Sequence, residues 1–323
     1  LLIPLDAPGP CDEATIGGKA AKLAQLAQAG FRVPKVFCLT TRAYEAFVED
    51  AKITAAIRME LGRKSMDEMR WEEIWDAALR IRSAFLAVPL PQELAAAIVA
   101  ASHGLGAPVM AVRSSAPGED AAEQSHAGLH ESLVGVRDEQ GLLDAVRIVW
   151  SSLWSDAALL YRKELGIDVM RSRMAVVVQE FVPADLSGVG FGIDPRHPAK
   201  DLAMVEAVPG FCEDLVSGAV DPDRWIMKRS TGEIVEWTPG SRGDMEVSPL
   251  LERDDLDILH RTLHEVEALL GCPPDIEWTG RSTGLTLLQA RPVTGVTNAA
   301  DDDRRWYLSL RPSQNRLDAL CAR

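Results

Sequence analysis

The alternation of apolar and polar positions begins with a helical repeat. Across residues 15–30, Ala20, Leu23, Leu26 and Ala27 recur at helical spacing, Gly30 ends the run and Pro34 follows. This places Gly17, Gly18 and Lys19 at or just before a helix start, where unpaired backbone amides favour anions. Thr41 is the expected cap of a second helix running through Phe47 and beyond. Residues 66–87 and 91–102 read as amphipathic helices, the latter entered through Pro89 and Pro91.

The texture then changes. Residues 109–115 read as a strand leaving into a polar loop, 128–136 as another strand, and 140–165 as a helix. Residues 174–182 are a β-branched run suited to a strand buried on both faces. Glycine at 188, 190 and 192 marks a strand crowded by another backbone or a ligand. Short strands follow at 203–207, 224–229, 234–237, 275–278 and 285–289, with a helix at 253–270. The expectation is an α+β fold of two lobes around a cleft, with no internal repeat. Residues 1–178 form the N-terminal lobe and 179–296 the C-terminal lobe. Residues 297–323 form a polar linker and the start of a following domain, because Trp306-Tyr-Leu-Ser-Leu-Arg311 begins a strand shortly before the chain stops.

Composition narrows the reading. A chain of 323 residues, 47% hydrophobic, suits about two compact globular units. No window reaches the roughly 18 uninterrupted apolar residues of a membrane helix. The N-terminus lacks the basic and apolar regions of a signal peptide, and it also lacks an initiator Met, which points to a longer natural chain. Five scattered cysteines fit buried thiols in a reducing compartment. These features point to a cytoplasmic protein with no membrane partner. A net charge of −14 disfavours nucleic acid, so any phosphate must be met by a few placed cations and amides.

Several constellations could do so. In Asp275-Ile-Glu-Trp278, alternation puts both carboxylates on one side of a strand. In Leu287-Leu-Gln-Ala-Arg-Pro292 it does the same for Gln289 and Arg291. If these strands pair through the turn at 280–284, hard oxygens suited to magnesium meet a guanidinium suited to phosphate. Taken alone, the same pattern also describes an edge hairpin with solvated charges. Val112-Arg-Ser-Ser-Ala116 offers an Arg entering a Ser-rich turn, a phosphate clamp in form. Gly17-Gly-Lys19 fails the Walker A spacing, with Ala20 where Ser or Thr should stand. Ala127-Gly-Leu-His-Glu-Ser132 is a glycine turn that could lie over phosphates. Gln179-Glu-Phe-Val182, at the end of the apolar run, could meet an adenine edge while apolar side chains sandwich the ring. His126 and His130 flank the glycine turn and read as surface or packing residues. Ser102-His-Gly104 follows an amphipathic helix and lacks upstream glycines.

In this order the motifs resemble the nucleotide-binding domain of the phosphoenolpyruvate synthase family, shared by pyruvate phosphate dikinase and rifampin phosphotransferase. The resemblance covers about residues 12–296, including Asp194-Pro195 and the stretch 210–218. It implies an ATP-grasp fold with ATP and Mg2+ held between two lobes. Lys19 and Arg113 would contact phosphates, and Gly128 would sit in the turn over them. Gln179, Glu180 and Val182 would line the adenine pocket, with Glu213 near the ribose. Glu277 and Gln289 would bind magnesium, helped by Asp275, and Arg291 would hold the transferred phosphate. Lys19, Arg113 and Arg291 would be the catalytic residues.

The chain departs from the family pattern in three places. Gly210-Phe-Cys-Glu213 replaces Gly-Leu-Gly-Glu, Leu129-His-Glu-Ser132 replaces Gln-Gln-(Asp/Glu)-Thr, and Gly192 stands where Thr is frequent. The phosphohistidine domain through which such enzymes pass phosphate is absent from this sequence and would act in cis or in trans. The expected function is ATP cleavage to AMP and phosphate, with the β-phosphate sent through that histidine to a small-molecule acceptor such as pyruvate, water or an antibiotic hydroxyl. An ATP-grasp ligase or simple kinase forming ADP is the alternative, and a non-catalytic nucleotide-binding module a third reading.

Overall fold

The computed structural model describes residues 1–5, 12–118, 129–183, 185–211, 215, 220–241 and 248–293. The first half opens with β1 (Leu2–Pro4), α1 (Glu13–Gln28), β2 (Val36–Leu39), α2 (Thr41–Asp50), α3 (Ile53–Leu61), α4 (Trp71–Ala87) and α5 (Gln92–Leu105). It continues through β3 (Met110–Ser115), β4 (Ser132–Val136), α6 (Glu139–Ser152), α7 (Asp156–Glu164) and β5 (Ala175–Glu180). The second half contains β6 (Leu186–Phe191), β7 (Leu202–Pro209), β8 (Asp223–Lys228), β9 (Ile234–Thr238), α8 (Arg253–Leu270), β10 (Pro274–Thr279) and β11 (Thr286–Pro292).

Two antiparallel sheets carry the α+β fold. The first runs β1-β2-β5-β3-β4 and the second β11-β10-β6-β7-β8-β9. Strand β5 passes through residues 178 and 179, so the sheets part between Glu180 and Leu186.

Period-two burial explains how the first sheet serves two cores. Phe37, Leu39, Val176 and Val178 enter one core with α2–α7, while Val36, Cys38, Ala175 and Val177 enter the other with α1, α8 and the second sheet. The two-faced burial read in the sequence of β5 is therefore real. The first core is aromatic: Phe47 stacks on Trp150 at 5.4 Å and Tyr44 on Phe85 at 6.0 Å. Its indoles keep their polar partners, Trp150 Nε1 donating to Met174 O at 3.0 Å and Trp154 Nε1 to Tyr44 Oη at 2.8 Å. Burial pushes the Tyr44 hydroxyl above its ordinary range.

Local chemistry moves several expected boundaries. Thr40, not Thr41, is the N-cap residue of α2, because Thr41 Oγ1 donates to Ala14 O at 3.0 Å. The helix expected from residue 66 starts at Trp71, where Glu73 reaches back to accept the Arg70 N–H at 2.8 Å. The helix expected over 140–165 is two helices, because the Ser155 hydroxyl accepts from Ala158 N and starts α7 anew. Strands β1 and β2 and helix α3 are too short to give a periodic signal. In β6 the glycine spacing has a packing cause: a Cβ on Gly188 would lie 2.0 Å from Glu206 O and 2.5 Å from the Trp278 ring.

Candidate functional site

The site begins at a break inside α1. Gly17 has φ 76°, and a Cβ there would stand 1.9 Å from Ser115 O, so only glycine fits. The break lies against the end of β3 and is latched to it. Ser115 Oγ donates to Ile16 O at 2.8 Å and accepts from Ala20 N at 3.0 Å, while Gly18 N donates to Ala116 O at 3.1 Å. The helix thus starts anew just after Gly17, as the sequence leads one to expect of Gly17, Gly18 and Lys19. The Gly18 and Ala20 amides serve the latch, not an open anion site. The latch carries Lys19 to β3, where Nζ donates to Ser114 Oγ at 3.2 Å.

On β3, Val112 points into the aromatic core and Arg113 points the other way, toward the second sheet. There β10 and β11 pair through the turn at 280–284, with Glu277 opposite Gln289 and Asp275 opposite Arg291. Arg113 Nη1 donates to Glu277 Oε2 at 2.8 Å and to Gln289 Oε1 at 3.3 Å. Arg291 donates to Asp275 Oδ2 through Nε at 2.8 Å and Nη2 at 2.7 Å. The carboxylates, carboxamide and guanidinium anticipated on this hairpin converge, and Arg113 joins them from the other sheet.

The two carboxylates respond in opposite directions. Burial pushes Glu277 up, but Arg113, with Arg291 and Lys19 behind it, outweighs burial and holds Glu277 below its ordinary 4.5. Burial pushes Asp275 up as well. Arg291 opposes this, the Glu277 charge adds to it, and Asp275 ends above its ordinary 3.8.

Beside Arg113 the sheets enclose a small cavity of about 40 Å3 that Gln179, Glu180 and Val182 help line. Ala111, Phe181, Phe211 and Leu288, none of them expected as lining residues, are also part of its wall. Alternation along β3 and β11 could have found Ala111, two positions from Arg113, but Phe211 comes from outside any strand. The Phe181 and Phe211 rings meet at 4.8 Å, one following each sheet's strand. The Glu180 N–H donates to Lys35 O at 2.8 Å and the Phe181 N–H to Val109 O at 3.0 Å, so these two backbone donors are already engaged. Gly128, His126 and Glu213 lie outside the described residues. A larger cavity of about 400 Å3 is lined by His130, Leu129, Tyr161 and Arg162 and includes none of the residues expected to bind nucleotide. Its Arg162 is held by Ala158 O, Leu153 O and Ser172 Oγ, and burial lowers its pKa to about 10. We read this cavity as architectural and place the chemistry at the charged convergence.

Among the described residues no group of three or more His, Cys, Asp or Glu side chains gathers to hold a metal. The Glu277 and Gln289 oxygens suit a hard cation only if a ligand such as phosphate completes the shell, which is how magnesium is commonly bound. Asp275 shares its carboxylate with Arg291. His103, in the Ser102-His-Gly104 stretch, lies on α5 and pairs with Glu139 at 3.0 Å. Among the described residues, no single helix is long and apolar enough to cross a membrane.

Comparison with known proteins shows the family to which the chain is similar. The family described as pyruvate phosphate dikinase, AMP/ATP-binding domain, matches residues 13–308. A rifampicin phosphotransferase from Streptomyces sp is 35% identical over 95% of this chain and 38% of its own length. A phosphoenolpyruvate synthase from Aeropyrum pernix is 33% identical over 86% of this chain and 40% of its own. A prodigiosin synthesizing transferase from Serratia marcescens is 32% identical over 86% of this chain and 31% of its own. The chain therefore spans about two fifths or less of these relatives.

Proposed function

The chain belongs to the pyruvate phosphate dikinase AMP/ATP-binding domain family, and from that premise we propose that it is the ATP-charging part of a dikinase-like phosphotransferase. One observation carries the reading: Arg113 of one sheet meets Glu277 and Gln289 of the other, which brings a guanidinium suited to phosphate together with oxygens suited to magnesium where the two sheets join. That is an ATP-grasp arrangement, with ATP between two lobes.

In this reading Lys19 and Arg113 hold phosphates from the first sheet and Arg291 holds the transferred phosphate from the second. Glu277 and Gln289 supply the protein oxygens for Mg2+, with Asp275 as a neighbouring carboxylate. Bound there, the metal would offset charge on the phosphate oxygens, which is most of what phosphoryl transfer asks of a protein. Gln179, Glu180 and Val182 line the base end, while Glu213 is assigned to the ribose and Gly128 to the phosphates, both outside the described residues. ATP is split to AMP and phosphate, and the β-phosphate passes to a histidine on another domain, in cis or in trans, then to a small-molecule acceptor such as pyruvate or a hydroxyl group of an antibiotic. The protein acts in the cytoplasm.

The test is to incubate the whole protein that contains this chain with Mg–ATP and candidate acceptors and identify the nucleotide product. AMP with phosphate is the expected result. ADP alone would overturn the dikinase-like route in favour of a ligase or simple kinase.

A further inference from the structure

Arg113 does more in this structure than stand ready for phosphate. A single nitrogen, Nη1, touches both Glu277 Oε2 (2.8 Å) and Gln289 Oε1 (3.3 Å). These oxygens belong to register partners on neighbouring strands, and they are the same two proposed to ligate the metal. A magnesium ion ligated by both would compete with that nitrogen for the same two oxygens. Two cations on one pair of oxygens in a largely buried site repel strongly. The side chains of Arg113 and Glu277 are only 18% and 15% exposed, so water screens this competition little.

We infer that Arg113 holds the two oxygens that would ligate the metal, and that a divalent ion enters only with a nucleotide whose phosphates draw the guanidinium away. The inference rests on the proposed nucleotide site and adds an order to its loading. An Arg bound to two carboxyl-type oxygens loses charge-assisted hydrogen bonds when it leaves them. Phosphate oxygens offer equivalent acceptors, so the exchange conserves hydrogen bonds only when phosphate is present. Metal alone would cost Arg113 these two contacts, and metal-free nucleotide would take from Glu277 its hydrogen-bonded cation. The neighbouring pair differs. Arg291 and Asp275 face each other within one hairpin, so their contact is set by strand register and not by the packing of the two sheets.

The test measures Mn2+ binding to the chain by calorimetry and by the electron paramagnetic resonance of free Mn2+, with and without a non-hydrolysable ATP analogue. Wild type should bind Mn2+ weakly alone and about tenfold or more tightly with the analogue, within the range typical of coupled sites. Arg113→Gln should bind Mn2+ alone about tenfold more tightly than wild type and lose most of the nucleotide dependence. Arg113→Met serves as a second neutral variant, and thermal unfolding checks that each is folded. Equal Mn2+ affinity of wild type with and without nucleotide would overturn the inference. So would unchanged nucleotide-free affinity in both Arg113 variants, if Glu277→Gln still abolishes binding; the site reading would then survive. If Glu277→Gln binds Mn2+ with the analogue as wild type does, the site reading itself fails.

Discussion

Asp275 and Glu277 stand two residues apart on one face of β10, each against an arginine, yet their electrostatics diverge. Asp275 meets Arg291 from the adjacent strand, set by hairpin register. Glu277 meets Arg113 from the other sheet, set by how two lobes pack. The outcome follows the number of cations. Glu277 feels Arg113, Arg291 and Lys19 and stays ionised more readily than an ordinary glutamate. Asp275 has Arg291 as its cation, with the Glu277 charge against it, and gives up its proton less readily than an ordinary aspartate. A pair within one sheet rests on the scaffold of strand register, while a pair between sheets depends on how the two lobes pack.

Three measurements would break or sharpen this contrast. The largest effect belongs to the scaffold pair: Arg291→Met leaves a buried aspartate without its cation and should cost about 3 kcal/mol in urea unfolding. Adding Asp275→Asn should recover at least half of that loss; no recovery would mean that the arginine matters for packing rather than charge. The cross-sheet pair should matter less to stability and depend on pH. A depressed carboxylate contributes stability above its unfolded pKa, here 4.5, and loses it as pH falls through the lower folded value. The stability difference between wild type and Glu277→Gln should therefore be about 1 kcal/mol near neutrality and shrink below pH 4.5. A pH-independent difference would refute the electrostatic origin. The smallest effect is at the apolar end of the cleft: Phe211→Ala removes a ring that is 47% exposed and should change stability by under about 0.5 kcal/mol. A larger loss would show that the Phe181–Phe211 contact itself holds the sheets together.

Much of this arrangement was legible in the chain. Alternation in Asp275-Ile-Glu277 and Gln289-Ala-Arg291 put the right groups on the right faces, because side-chain direction in a strand is a local property. The unbroken apolar run at 174–182 likewise exposed the two-sided burial of β5. Other features were illegible for equally physical reasons. Strands β1 and β2 contain three and four residues, too few for a period to declare itself. The true starts of α4 and α7 depend on single side chains returning to the backbone, which competes with propensity at every Ser, Thr or Glu.

The sequence by itself determined the hairpin partners, the family, and the identity of Lys19, Arg113, Glu277, Gln289 and Arg291 as a set worth bringing together. It determined Gly17 as well, though not the reason, which is the carbonyl of Ser115 pressing where a Cβ would be. Only the tertiary structure decided that the glycine break is a latch rather than an open anion site. It alone decided that Phe211 meets Phe181, and that Arg113 rests on Glu277 and Gln289. Each of those outcomes depends on segments about 30 to 180 residues apart in sequence. A pattern can state which way a side chain points, but only the packing of two sheets determines what lies there to meet it.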